Sequence, residues 1–426
     1  GTGSGDIILV TADGTGIDNA DMTTLTKFEK LTIANNASTG TIVLDELNID
    51  DGKTFTVDSS SITTASNTFT LNAADDTNGI LVVTGSAGID TITMSSSDQG
   101  DNLSLAGAND IIYVAANHLT SSDTINGGDG TDTLSYTSDE AIILSDFTNV
   151  SNLETLTSSN SVQITGNLGA LAATAGIITI NFNDDGDGDN LVIDSAFNNT
   201  LRVNLDDGDN TLNASAYTGT ITIAITEAIA DAAADTHTIT GGTGTADEII
   251  ITADGTGIDT ADMSTFTNFE KLTIQNNAST GSIVINTLTV ADGSTLTVNS
   301  SAITTSSNTF TLDASAETDG ALVVTGSAGI DTISMTQSDI ADALSLAGAN
   351  DIINVAGGQL TSADSINAGT GTDTLSYSSD EAIILADFTN VLNLETLTSA
   401  NSVQITGNLG ALAATAGITT VTFNDD

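Results

Sequence analysis

Short aliphatic runs alternate along the whole chain with Asp, Asn, Gly, Ser and Thr. The opening DIILV gives an apolar strand from Ile7 to Val10, and the segments FEKLTI, TIVL, TFTV and TFTLNA repeat the form. Their spacing of roughly 10 residues is the rhythm of an all-β chain. In DTLS, Leu134 sits between Thr133 and Ser135; strand side chains alternate, so Leu134 points to a core and the two hydroxyls point away. One such turn buries almost nothing, and the pattern therefore requires stacking. Phe147, Val150, Leu153 and Leu156 are apolar anchors of the same kind, and IITINFN, NLVID, TLRVNL, NTLNA and TITIAIT supply five further strands. Two stretches depart from the rule. GNLGALAATAG is a helical turn bounded by glycines, too short to stand alone, and the Ala-rich residues 226–237 read as a short helix or a loop excursion.

The pattern repeats on a larger scale. FEKLTI begins at Phe28 and again at Phe269, and FNDD at Phe182 and again at Phe423, 241 residues apart each time. Residues 1–241 form one complete unit, and 242–426 repeat its beginning without insertion or deletion. The second copy stops within the unit, as expected of a window cut from a longer tandem array. The fold expected is all-β, a parallel β-solenoid of β-roll or β-helix type built from tandem 241-residue units. Each coil takes roughly 20 to 25 residues, with adjacent coils about 4.8 Å apart.

Composition fits narrow stacked strands. Aromatic residues make up only 4% and Trp is absent, so the core is built of Ile, Val, Leu, Thr and Ala. Proline is absent, which leaves ladders uninterrupted, and the absence of cysteine removes disulfides and thiolate sites. No apolar run approaches the roughly 18 to 20 residues of a membrane span, so no membrane insertion is expected. The N-terminus lacks the charged start, apolar middle and cleavage site of a signal peptide, as expected of a mature or internal segment.

Charge changes the picture most. There are 56 acidic residues against 5 basic ones, a net charge of −51. A compact body this acidic repels itself unless cations condense on it or bind specifically; a solvated acidic surface is the plain alternative. Lys27, Lys30, Lys53, Lys271 and Arg202 are too few and scattered to neutralise phosphates, which excludes nucleic acid as a partner.

Candidate chemistry concentrates in residues 85–135. There the ending Asp-x-aliphatic recurs at Asp90, Asp101, Asp110, Asp123 and Asp132, and the unit GGDGTDTLS at Gly127 combines glycines with Asp129 and Asp132. Glycines allow a turn whose carbonyls point inward and the Asp adds a carboxylate, giving hard oxygen ligands suited to Ca2+. Asp187, Asp189, Asp207 and Asp209 form a further acidic group, and Asp331, Asp351, Asp364 and Asp373 are the second-copy candidates. The alternative is that these turns cap strands and hydrogen-bond their own backbone. Other chemistry is weakly signalled. Carboxylate pairs occur throughout so acidic a chain, His118 and His237 show no zinc or triad spacing, and DGKT at Asp51 has Leu47 where a phosphate loop needs glycine.

GSAGIDTIT at Gly85, LAGANDIIY at Leu105, GGDGTDTLS at Gly127 and LDDGDNTLNAS at Leu205 resemble the repeats-in-toxin family of calcium-binding β-rolls. More widely, the chain resembles the bacterial surface-layer and giant extracellular proteins that carry such repeats. The resemblance implies calcium held between successive turns by Asp carboxylates and turn carbonyls, and secretion to the cell surface. The nonapeptides here come in pairs, at residues 96–113 and 118–135, rather than in one long series. In the second copy GGDGTDTLS becomes AGTGTDTLS, so Thr370 replaces Asp129 and Ala368 replaces Gly127. Calcium is expected to bind less well there, with Asp364 and Asp373 the survivors.

The function expected is a calcium-stabilised, non-catalytic structural protein of the bacterial cell exterior. It self-assembles into a surface layer or an extracellular filament, with copies of itself as first partner and cell-surface polysaccharide as a further one. One alternative is the repetitive stalk of a large secreted adhesin. Another is a calcium-dependent, polysaccharide-acting β-helix enzyme, which would need Lys, Arg, His or Tyr grouped in a groove.

Overall fold

The computed structural model describes residues 5–11, 22, 24–46, 48, 49, 51–183, 188–205, 208–225, 237–252, 265–280, 282–286 and 289–424. The Ala-rich 226–236 stretch, Asp187 and Asp207 lie outside them. The protein is all-β, a parallel β-solenoid, in two compact units, Gly1–Asn204 and Leu205–Asp426. The sequence period instead runs from 1 and from 242; in a stack where each coil touches only its neighbours, a period has no privileged starting point.

In the first unit one sheet contains Ile7–Val10, Lys30–Ile33, Thr54–Asp58, Ile80–Thr84, Asn102–Ser104, Thr124–Asn126 and Val150–Ser151. A second contains Thr41–Asp45, Thr68–Asp75, Ile89–Thr93, Ile111–Val114, Thr133–Tyr136, Thr155–Ser158, Thr179–Asn181 and Leu201–Asn204. From Glu140 a third, short sheet joins them, of Glu140–Ile142, Ile164–Leu168 and Asn190–Ile193. The pairings are parallel, because each strand meets the equivalent strand of the next coil rather than its neighbour in sequence. Along Thr70, Thr91, Ile111, Thr133, Thr155 and Thr179, successive register partners lie 20 to 24 residues apart, as expected for the coil.

The paired nonapeptides find their explanation here. Residues 96–113 hold Asn102–Ser104 and all but the last residue of Ile111–Val114, one strand in each main sheet, and residues 118–135 hold Thr124–Asn126 and all but the last residue of Thr133–Tyr136. Each pair supplies the two sides of one coil.

Alternation does the packing. Leu134 is fully buried and in register with Ile112 and Leu156, themselves fully buried. Each such side chain contributes about 1.5–3 kcal/mol by leaving water. Phe147, Val150, Leu153 and Leu156 all lie in the core, and Ile7–Val10 is a strand. The residues of the second sheet that alternate with the core side chains form columns along the stack, half-exposed except at Ser135 and Thr155, which are buried. The Thr70–Thr179 column is flanked by a second one of Asn72, Thr93, Tyr113, Ser135, Thr157 and Asn181. The GNLGALAATAG segment forms a six-residue α-helix, Ala170–Ala175, ended by Gly176 in the left-handed conformation at φ 112°. It persists at that length because Ala172, Ala173 and Ala175 are buried against the coil rather than through its own propensity.

The second unit has the same construction. One sheet contains Ser282–Asn286, Thr309–Ala316, Ile330–Ser334, Ile352–Val355, Thr374–Tyr377, Thr396–Ser399 and Thr420–Val421. Another carries Ile221–Ile225, Glu248–Ile251, Lys271–Ile274, Thr295–Asn299, Ala321–Thr325, Ala343–Ser345, Ser365–Asn367 and Val391–Leu392. Ala411–Ala416 is again helical. Among the described residues, no helix is long and apolar enough to cross a membrane.

Candidate functional site

A parallel coil turns away from its sheet at each corner, leaving the N–H at the strand start without a ladder acceptor. Burial would make that costly. The recurring Asp supplies the acceptor. Asp110 Oδ1 accepts the backbone N–H of Asp90 at 2.8 Å, Asp132 Oδ1 that of Asp110 at 2.8 Å, and Glu154 Oε2 that of Asp132 at 2.8 Å. At another corner Asp101 Oδ1 accepts from Leu81 N–H at 2.9 Å, and Asp123 Oδ1 from Asp101 N–H at 2.7 Å. The second unit repeats both ladders, through Asp331, Asp351, Asp373 and Glu395 and through Asp342 and Asp364. Asp189 takes the same part for Ile164 N–H at 2.7 Å. Asp90, Asp101, Asp110, Asp123, Asp132, Asp189, Asp331, Asp351, Asp364 and Asp373 are all buried, whereas Asp129 and Asp209 are exposed.

The second carboxylate oxygen divides the set. Asp90 Oδ2 accepts from Ser86 N–H at 2.8 Å while Ser86 Oγ donates to Oδ1 at 2.7 Å. Asp101 Oδ2 accepts from Ser95 N–H and Oγ at 3.1 and 2.9 Å, and Asp123 Oδ2 from Thr120 N–H and Oγ1 at 2.7 and 3.1 Å. Asp331, Asp342 and Asp364 are closed in the same way by Ser327, Thr336 and Thr361. Asp110 and Asp132, on consecutive coils, each keep a buried Oδ2 with no hydrogen-bond partner, and so do Asp351 and Asp373.

Burial pushes the carboxyl of Asp110 up to about 8, with the neighbouring Asp90 and Asp132 charges adding to the effect. Asp351 is raised to about 7 by burial and by Asp331 and Asp373, and burial also raises Asp132 and Asp373. Two stacked acids with unfilled oxygens can be relieved by a proton or by a cation.

The surroundings of the open pair are lined by oxygen. A Cβ on Gly127 would stand 2.6 Å from Asp132 Oδ2, and one on Gly128 would stand 2.8 Å from the carbonyl oxygens of Leu105 and Ala106. Asp132 Oδ2 thus lies beside Gly127 and two turn carbonyls beside Gly128, and carboxylate and carbonyl oxygens are the donor types a hard divalent cation takes. No group of three or more Asp, Glu or His side chains among the described residues is arranged to hold a metal, so an ion there would draw largely on backbone carbonyls.

This sorts the expected ligands. Asp110, Asp132, Asp351 and Asp373 have an oxygen to offer, while Asp90, Asp101, Asp123, Asp331 and Asp364 have both engaged. Asp129 is exposed at the turn, so Thr370 in its place leaves the buried pair intact; the exchange that reaches the corner is Gly127 for Ala368. Sequence reading passed over Glu154 and Glu395, which end the ladders, Asp342, which stands 241 residues after Asp101, and Asp247 with Glu270. The 22-residue step from Asp110 to Asp132 leads directly to Glu154 and would have found it.

His237 is buried, its Nδ1 accepting Asn210 N–H at 3.4 Å, and His118 lies 3.8 Å from Asp98. Asp51–Thr54 is a turn entering a strand, with Gly52 at φ 64°. Comparison of the chain with protein-family models, with curated proteins and with solved structures finds no match.

Proposed function

We propose that the chain is a calcium-stabilised, non-catalytic structural protein of the bacterial cell exterior, secreted and assembling with copies of itself into a surface layer or filament. The observation that carries this reading is the pair of unfilled carboxylate oxygens on consecutive coils, Asp110 with Asp132, and again Asp351 with Asp373. A divalent cation at each pair would accept those oxygens and nearby turn carbonyls, and its charge would offset the repulsion between the acids. The two ligands lie 22 residues apart in sequence, so the site exists only when the coils are stacked and binding would favour the folded state. The net charge of −51 gives the same ions a second task, neutralising copies that would otherwise repel.

The test is electron microscopy of the protein in millimolar calcium, after chelation, and after calcium is restored. Ordered assemblies that are lost on chelation and regained with calcium, but not with sodium at equal ionic strength, are expected. Order that is indifferent to calcium, or no assembly in any condition, would refute the reading.

A further inference from the structure

The carboxylates of the first unit sit mainly at corners and turns. The two outward columns of its second sheet, from Thr70 to Thr179 and from Asn72 to Asn181, contain no acidic residue. They carry Thr, Ser and Asn, with Ile111 and Tyr113 between. The first sheet differs, presenting an ion pair of Lys30 with Asp58 at 3.3 Å. In the second unit the column Thr311, Thr332, Ile352, Thr374, Thr396 and Thr420 is again without an acid, and the flanking column of Asp313, Ser334, Asn354, Ser376 and Thr398 carries one, Asp313.

We propose that this threonine-lined face is the surface through which one copy of the chain lies against another, face to face. The inference rests on the assembly reading above and specifies where contact occurs. The argument is electrostatic: like charges brought together across an interface cost several kcal/mol, and a chain of net charge −51 has few surfaces that meet their own kind without that cost. Apart from Arg202, which follows Thr179 along the column, and Asp313 in the second unit, this face is uncharged and extended. Its hydroxyls and methyls repeat once per coil, about 4.8 Å, so one face can match another over its length. The six coils from Thr70 to Thr179 span on the order of 24 Å at that spacing.

The experiment is sedimentation velocity of the whole chain over a concentration series in calcium, with circular dichroism to verify the fold. One variant carries Thr70→Glu, Thr91→Glu, Thr179→Glu, Thr311→Glu, Thr332→Glu and Thr420→Glu, positions of the face that do not adjoin the open acid pairs. A control adds the same number of glutamates to outward positions of the other main sheets, at Thr32, Thr56, Thr124, Thr273, Thr297 and Ser365. The face variant is expected to need at least tenfold higher concentration to associate, and the control to behave as the parent. Equal behaviour of the two variants would overturn the assignment while leaving self-assembly standing. A parent chain that stays monomeric would overturn both. Retention of that monomer on an insoluble neutral polysaccharide, lost in the face variant, would give the face to that polymer instead.

Discussion

Asp132 accepts the backbone N–H of Asp110, one coil earlier, at 2.8 Å through Oδ1, while its Oδ2 is buried without a partner. One carboxylate thus does two separable things. The bonded oxygen closes the backbone at the corner, and the unfilled one leaves a charge to be dealt with.

Asp110→Asn separates the two. The amide oxygen can still accept the N–H of Asp90, while the charge and its burial cost disappear. In chelator at pH 8 the variant is expected to match or exceed the parent in stability, and to lose calcium-induced stabilisation at that corner. Thermal melts with and without calcium read both effects.

Asp101→Asn should behave in the opposite way. Both oxygens of Asp101 are engaged, so the amide would turn a donor toward the N–H of Leu81 or of Ser95. A buried group left unsatisfied costs about 1–3 kcal/mol. That loss should appear in urea unfolding with calcium or chelator alike.

The raised carboxyls set a pH dependence. Asp110 has its folded value near 8 against an ordinary 3.8, and Asp101 and Asp351 near 7. A folded state that holds protons more tightly than the unfolded chain is favoured by acid, so this stabilisation is complete below about pH 4 and lost as pH rises through 7 to 8. Calcium must displace the protons of Asp110 and Asp351, so its stabilising increment should be largest at pH 8 and shrink toward pH 5. Melting series in chelator and in calcium check the sign of both trends.

Ala108 holds φ at 77° in the turn before Asp110, and Ala349 repeats it at 75°. Left-handed backbone costs a residue with a Cβ about 1–2 kcal/mol. Ala108→Gly is expected to stabilise by up to about 1 kcal/mol, after the added flexibility of the unfolded chain is subtracted. Denaturant midpoints of the variant and parent decide it.

Much of the architecture was legible in the sequence, because Leu134 between Thr133 and Ser135 states both the strand and its buried face. The corner chemistry was only half legible. Asp101 and Asp132 share the same Asp-x-aliphatic ending, yet one is closed by Ser95, six residues upstream, and the other follows a glycine turn with Gly128 at the place where Asp90 has Ser86. That distinction depends on which side chain folds back to the corner. The ladder itself was hidden for a different reason: its donor lies one coil away, a distance of 20 or 22 residues that no local motif displays.

The most direct measurement is calorimetric calcium titration of the parent chain beside a variant carrying Asp110→Asn, Asp132→Asn, Asp351→Asn and Asp373→Asn, at pH 8 and fixed ionic strength. Saturable binding with proton release in the parent, abolished in the variant while circular dichroism is unchanged, is the expected result. Equal calcium binding by the two proteins, or none by the parent, would contradict the assignment of the buried acid pairs as calcium sites.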